Sequence, residues 1–513
     1  MIELRRKGSV ALGALMLLLL GAGAAVAEEK AGDKAAKSEK EPPKETLSTT
    51  SHEVTIGGKR LRYTANAGTY LLKEEDGTPK ASVFYIAYTK EGESDPGRRP
   101  VLFSFNGGPG SSSVWLHLGV FGPRRVVMED AGAPTVPPSK LTDNALSLLD
   151  RTDLVFIDPV TTGFSRAVPG ESDKQFHGVT ADVESVGSFI RLWTTRNARW
   201  ASPKLLAGES YGTTRAAALA SYLQERHGMY LSGVVLLSAI LNFQTARFDV
   251  GNDLPYPLFL PTYTATAWYH KQLAPELLAG SLESLLAEVR RFAETDYTLA
   301  LMKGNALPAQ DRAAIVAKLV RYTGLSEEYI EQTNLRIHIH RFTKELMRNE
   351  RVTVGRLDSR FKGADLDAAG EEPEFDPSMA AIRGPYSDTL NDYVRRELGY
   401  QNDLPYEILT GRVRPWSYDD FENRYLNTAE LLREAMTQNP ALKVFVANGY
   451  YDLATPFYAT EYTFAHLGLD PSLDSHVTMA YYPAGHMMYI HQPSIEKLRK
   501  DLDRFLDGVL GKP

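Results

Sequence analysis

The residues with the clearest chemical potential are a serine, an aspartate and a histidine that lie far apart in the chain. Ser210 sits in Gly208-Glu209-Ser210-Tyr211-Gly212, a G-x-S-x-G pattern between the apolar run Leu205–Ala207 and the helical stretch Thr214–Arg226. A serine held in a strained strand-to-helix turn needs neighbours without a Cβ that would clash. The helix behind it places backbone N–H groups beside an oxyanion developing there. Such a serine needs a base, and the base needs an orienting acid. With this motif the chain order is serine, acid, histidine. Asp452 lies just past the apolar run Val444–Ala447, and His486 in Pro483-Ala484-Gly485-His486-Met487-Met488 lies just past Thr478–Tyr482. Taken singly, Asp452 reads as a loop cap and His486 as a structural histidine. Taken in order behind Ser210, they read as a nucleophile with its base and acid.

A second motif, Asn106-Gly107-Gly108-Pro109-Gly110-Ser111-Ser112-Ser113, directly follows the strand-like Arg99–Phe105. Successive glycines let backbone N–H groups face inward, as an oxyanion hole requires. The bland reading is a Gly-Pro turn. No G-K-[ST] ending follows, so phosphate-loop nucleotide binding is excluded. His338 and His340 would share one face of a strand, but no third ligand is evident, and the pair reads as structural; no metal or cofactor is expected. Trp115 reads either as core or as a wall on the leaving-group side.

These loops need strands to carry them. Leu61–Thr64, Ala81–Tyr88, Arg99–Phe105, Asp153–Ile157, Leu205–Ala207 and Gly233–Ser238 are short β-rich runs, alternating with helices. That alternation predicts an α/β sheet covered on both faces. From about Phe243 to Pro440 the texture becomes helical, with helix-period spacing in Ala274–Glu294, Pro308–Tyr322, Glu327–Thr333 and Thr428–Thr437. Strand character returns at Val444–Ala447 and Thr478–Tyr482, before a helix over Ser494–Leu506. The expected division is a first core part over 47–243, a mainly helical insertion over 244–440, and a second core part over 441–513. There is no internal repeat.

Ahead of this lies a leader. Arg5, Arg6 and Lys7 precede an apolar run, Val10–Leu20, and Ala25-Val26-Ala27 is a cleavage pattern, so residues 1–27 read as a signal peptide. The alternative is an uncleaved anchor, since Gly8–Ala27 carries no charge. Residues 28–46, rich in Lys and Glu, lack any large apolar side chain before the strands begin and read as a disordered linker. Of 513 residues, 43% are hydrophobic and 10% aromatic, which excludes a wholly disordered chain. Lys and Arg number 57 against 64 Asp and Glu, for a net charge of −7, so no electrostatic footprint for nucleic acid exists. Cysteine is absent, which removes disulfides, thiolate metal sites and thiol nucleophiles.

NGGPGSSS, the stretch FIDPVTTGFS, GESYG, a late aspartate and PAGHM followed by QP together resemble the serine carboxypeptidase-like branch of the α/β-hydrolases, in order along the whole chain after the leader. The resemblance implies an α/β-hydrolase fold, with a large helical cap between the nucleophile half and the Asp/His half. It implies a triad of Ser210, Asp452 and His486, and an oxyanion hole from the N–H groups of Gly108 and Tyr211. It also implies that Asn106 and Glu209 bind the terminal carboxylate of a peptide. Glu209 can donate to that carboxylate only when protonated, which predicts best activity at acidic pH. The expected protein is an exported, periplasmic or secreted carboxypeptidase, a cysteine-free bacterial member acting through an acyl-enzyme. Its partners would be peptides or small esters, with no nucleic acid and no membrane once the leader is cleaved. An esterase or acyltransferase on the same site is the alternative. Many members carry Cys where this chain has Ser111, and the insertion differs from theirs, so side-chain preference does not carry over.

Overall fold

The runs VLFSF and DLVFI are buried at every position, so the sheet they form must be covered on both sides. The computed structural model describes residues 43–93, 95–131 and 136–511. Among these, ten strands form one mixed sheet. Nine are β1 (Leu47–Ile56), β2 (Lys59–Lys73), β3 (Pro79–Lys90), β4 (Val101–Phe105), β5 (Asp153–Ile157), β6 (Lys204–Ser210), β7 (Gly233–Ala239), β8 (Lys443–Gly449) and β9 (Val477–Tyr482). Their spatial order is β1-β2-β3-β5-β4-β6-β7-β8-β9, with the short Arg166–Ala167 strand beside β3. β1 to β3 form an antiparallel meander that joins β5 antiparallel. From β5 to β9 every pairing is parallel. Parallel pairing brings the C-terminal ends of β4, β6, β7, β8 and β9 to one edge. In open α/β sheets that edge is where ligands bind.

Alternation of side chains divides the core in two. Leu102, Leu154, Leu205, Leu237 and Phe445 face one way; Phe103, Val155, Leu206, Leu236 and Val446 face the other. The principal helices are α1 (Val179–Arg196), α2 (Tyr211–His227), α3 (Pro255–Tyr269), α4 (Leu282–Phe292), α5 (Ala309–Thr323), α6 (Pro377–Arg396), α7 (Ala429–Gln438) and α8 (Gln492–Leu510). α1, α2 and α7 cover the second face; α6, α8 and the segment Val114–Phe121 cover the first. α3, α4 and α5 build a separate core between β7 and β8, sharing it with Tyr451, Leu453 and Phe457 just beyond β8. This is the inserted helical region on a mixed α/β core.

Three local expectations change. Ala274–Glu294 is two helices, Pro275–Leu278 and α4, because the Ser281 hydroxyl accepts from Ser284 N–H and starts a new helix after Gly280. β2 is far longer than Leu61–Thr64, and its partner β1 is mostly solvent-facing, so it offers no apolar run to read. His338 and His340 do not lie on a strand: His338 caps the helix Ile339–Glu345, accepting from His340 N–H. Residues 1–42, with the expected leader and most of the linker, lie outside the described residues. Glu45 and Thr46, from the end of that linker, are tied to β2 by hydrogen bonds to Leu71 N–H and to Thr69. Among the described residues no helix is long and apolar enough to cross a membrane.

Candidate active site

Ser210 ends β6 and stands immediately before α2, with φ +59° and ψ −131°. A positive φ is costly for a residue with a Cβ, and strain of this kind persists only where surroundings impose it. They do here: a Cβ on Gly208 would lie 2.1 Å from the Gly212 carbonyl oxygen, so the chain doubles back on itself through glycines. Tyr211 is the first helical residue, so its N–H has no partner within α2. Gly108, at φ +103°, follows β4 and faces the same space.

Asp452 and His486 come together from the loops after β8 and β9. His486 Nδ1 lies 2.8 Å from Asp452 Oδ2. Asp452 is fully buried, and its oxygens also accept from Ala454 N–H, Thr455 N–H and the Thr455 hydroxyl. The carboxylate is thus fixed from four directions. With Nδ1–H committed to Asp452, Nε2 is left to exchange a proton. Burial alone would depress the imidazole, but the charge and hydrogen bond of Asp452, helped by Glu209, outweigh it and hold His486 above its ordinary value.

Ser210, His486, Gly108, Tyr211, Asn106 and Glu209 all line one cavity of about 650 Å³. Behind the serine, Asn106 Nδ2 donates to Glu209 Oε1 at 2.9 Å, and Leu116 N–H fixes the Asn106 oxygen. The Tyr489 hydroxyl donates to Glu209 Oε2 at 2.6 Å. Burial outweighs these donors and pushes the Glu209 carboxyl up to about 7. The cavity therefore holds a protonated acid beside a serine at mildly acidic pH. Aromatic side chains wall its other end, where Trp416 meets Tyr211 edge-on with centroids 5.5 Å apart. Phe243 and Tyr418 extend that wall. Trp115 is buried, lines the cavity, and donates to the Ser111 hydroxyl.

A serine carboxypeptidase family model matches residues 63–492, well over half of the sequence. The chain belongs to the serine carboxypeptidase family. Among curated relatives, serine carboxypeptidase-like 34 of Arabidopsis thaliana is 27% identical over 430 residues, covering 80% of this chain and 76% of the relative. Serine carboxypeptidase-like 45 of the same plant is 25% identical over 235 residues, and the chain spans about half of its length (48%). Among solved structures, the prohormone-processing carboxypeptidase Kex1(delta)p of Saccharomyces cerevisiae aligns with a TM-score of 0.53 at 18% identity, covering 86% of this chain and 91% of that one. That likeness establishes the α/β-hydrolase fold with its cap.

Three features of this family member had no sequence signal. Tyr489 belongs with Glu209 only because a turn after β9 brings them together. Arg215 on α2 is buried, binding Asp182 of α1 through both carboxylate oxygens and the Asn106 carbonyl through Nη1 at 2.6 Å. The segment 355–361 of the insertion contacts the loops that carry Asp452 and His486. Among the described residues no group of three or more His, Cys, Asp or Glu is placed to hold a metal ion.

Proposed function

We propose that this chain is an exported serine carboxypeptidase that releases C-terminal residues from peptides. Ser210 Oγ attacks the scissile carbonyl as His486 Nε2 takes its proton, and Gly108 and Tyr211 N–H groups stabilise the oxyanion. The resulting imidazolium, steadied by Asp452, returns the proton to the leaving amine and leaves an acyl-Ser210. Water then attacks that ester with His486 again as base, restoring the serine and freeing the shortened peptide.

One observation carries the peptidase reading over a general esterase: the buried Glu209 carboxyl held by Asn106 and Tyr489 beside Ser210, where burial raises its pKa to about 7. A neutral carboxyl donates to a terminal carboxylate, whereas an ionised one repels it. Affinity for free-acid peptides should therefore weaken as pH rises through about 7. The basic start (Arg5, Arg6, Lys7), the apolar run and the A-x-A pattern support export to the periplasm or beyond, as the leader of a bacterial protein would direct.

The test compares an N-blocked dipeptide, its C-terminal amide and a simple ester at acid and neutral pH. Hydrolysis of the free acid at acid pH, lost in Ser210→Ala, supports the proposal. Ester cleavage alone would replace it with an esterase or acyltransferase, which needs no carboxylate anchor.

A further inference from the structure

We infer that the cap reaches into the catalytic centre from behind, and that Asp358 and Arg360 are positioning residues for His486. This rests on the reading of His486 as the base. The segment 355–361 belongs to the insertion, yet it bonds to both loops that carry the acid and the base. On the acid side, Leu453 N–H, next to Asp452, donates to the Arg356 carbonyl at 3.1 Å, and Ser359 N–H donates to the Tyr451 carbonyl at 2.9 Å. On the base side, the N–H of His486 itself donates to the Leu357 carbonyl at 2.6 Å. Gly485 N–H donates to Asp358 Oδ2 at 3.1 Å. Arg360 holds Asp358 through Nε at 3.0 Å and Nη2 at 2.6 Å, and its Nη1 reaches the Pro483 carbonyl at 3.2 Å.

The segment therefore grips three of the four residues Pro483–His486. Asp358 and Arg360 are 3% and 5% exposed, so water cannot replace these bonds cheaply. The fit is close: a Cβ on Gly485 would lie 2.4 Å from Asp358 Cβ, which explains the glycine before the histidine. The His486 carbonyl is fixed on the opposite side by the Ser238 hydroxyl at 2.8 Å. With Asp452 on Nδ1, the imidazole has a backbone clamp and a side-chain clamp. Neither Asp358 nor Arg360 lines the cavity, so they act on His486 rather than on substrate. Displacing a reacting group by about 1 Å costs roughly 100-fold in rate.

The experiment measures kcat and KM for the free-acid peptide and the ester in Asp358→Asn, Arg360→Met and Arg360→Lys, with active sites counted by a serine-directed organophosphonate. Asp358→Asn and Arg360→Met should lower kcat per titrated site by about 10-fold or more, with KM within about twofold. Organophosphonate inactivation should slow in proportion, because it too needs His486 to activate Ser210. Arg360→Lys keeps the charge on Asp358 and should recover part of kcat. A loss of titratable sites with wild-type kcat per remaining site would overturn the inference and leave a stabilising ion pair. Wild-type kcat in both disruptive variants would overturn it as well. Failure of the underlying reading looks different, since wild-type protein would then cleave neither substrate.

Discussion

Buried between Asn106 and Tyr489, the Glu209 carboxyl keeps its proton up to about pH 7. Replacing it with glutamine leaves a permanent donor in the same place. In Glu209→Gln, KM for free-acid peptides should therefore be nearly flat across pH 5 to 8, while in wild type it rises. Stability carries the same signature. Between 4.5 and about 7 the folded protein holds a proton that the unfolded chain has released, so this contribution is full below that window and lost as pH rises through it. Urea unfolding should show Glu209→Gln gaining on wild type by about 3 kcal/mol between pH 4.5 and 8. Gly163 gives a prediction of another kind. It has φ +48°, and a Cβ there would lie 1.7 Å from Asp158 Oδ2. Asp158 is buried and accepts from Ser113 N–H and Oγ in the glycine-rich loop after β4. Gly163→Ala should cost about 3 kcal/mol or more in urea titrations, since overpacking and strain add.

At the level of elements, the site depends on helices as much as on loops. The Arg215–Asp182 pair joins α2 to α1 and reaches the Asn106 carbonyl, so the helix that starts after Ser210 also holds the loop that carries Asn106. Removing one partner of a buried pair leaves the other charge unmatched. Arg215→Met should lower stability by about 3–5 kcal/mol, read as a shift in urea midpoint, and should raise KM for free-acid peptides by displacing Asn106. The stretch 407–427 is a further support. Isolated bridges join Leu409 to Ser111, Glu407 to Gly163, Ser417 to Gly178 and Asn427 to Asn242, stitching four sheet-edge loops together. Its sequence, with charged residues scattered throughout and no periodicity, announces no element, because its order comes from partners more than a hundred residues away. By contrast β4, β6, β7 and α2 were legible, since each is a continuous local pattern.

For the whole molecule, the missing cysteine sets an expectation of its own. No disulfide exists to reduce, so the thermal transition should be the same with and without a thiol reductant; a lowered midpoint would contradict it. Two cores, one on each face of a ten-stranded sheet, and a third in the insertion supply the stability that staples give smaller domains. The sequence by itself determined the α/β class, the insertion, and Ser210, Asp452 and His486 as candidates. Those follow from short-range facts: periodicity, glycines at a tight turn, and polar residues at strand ends. Only the tertiary structure decided the environment of Glu209, the partners Tyr489 and Arg215, and the grip of segment 355–361 on His486. Burial and hydrogen-bond partnership across hundreds of residues set proton affinity and aim, and no local pattern encodes either. The chain names its candidate groups; packing determines where each one points and which proton it holds.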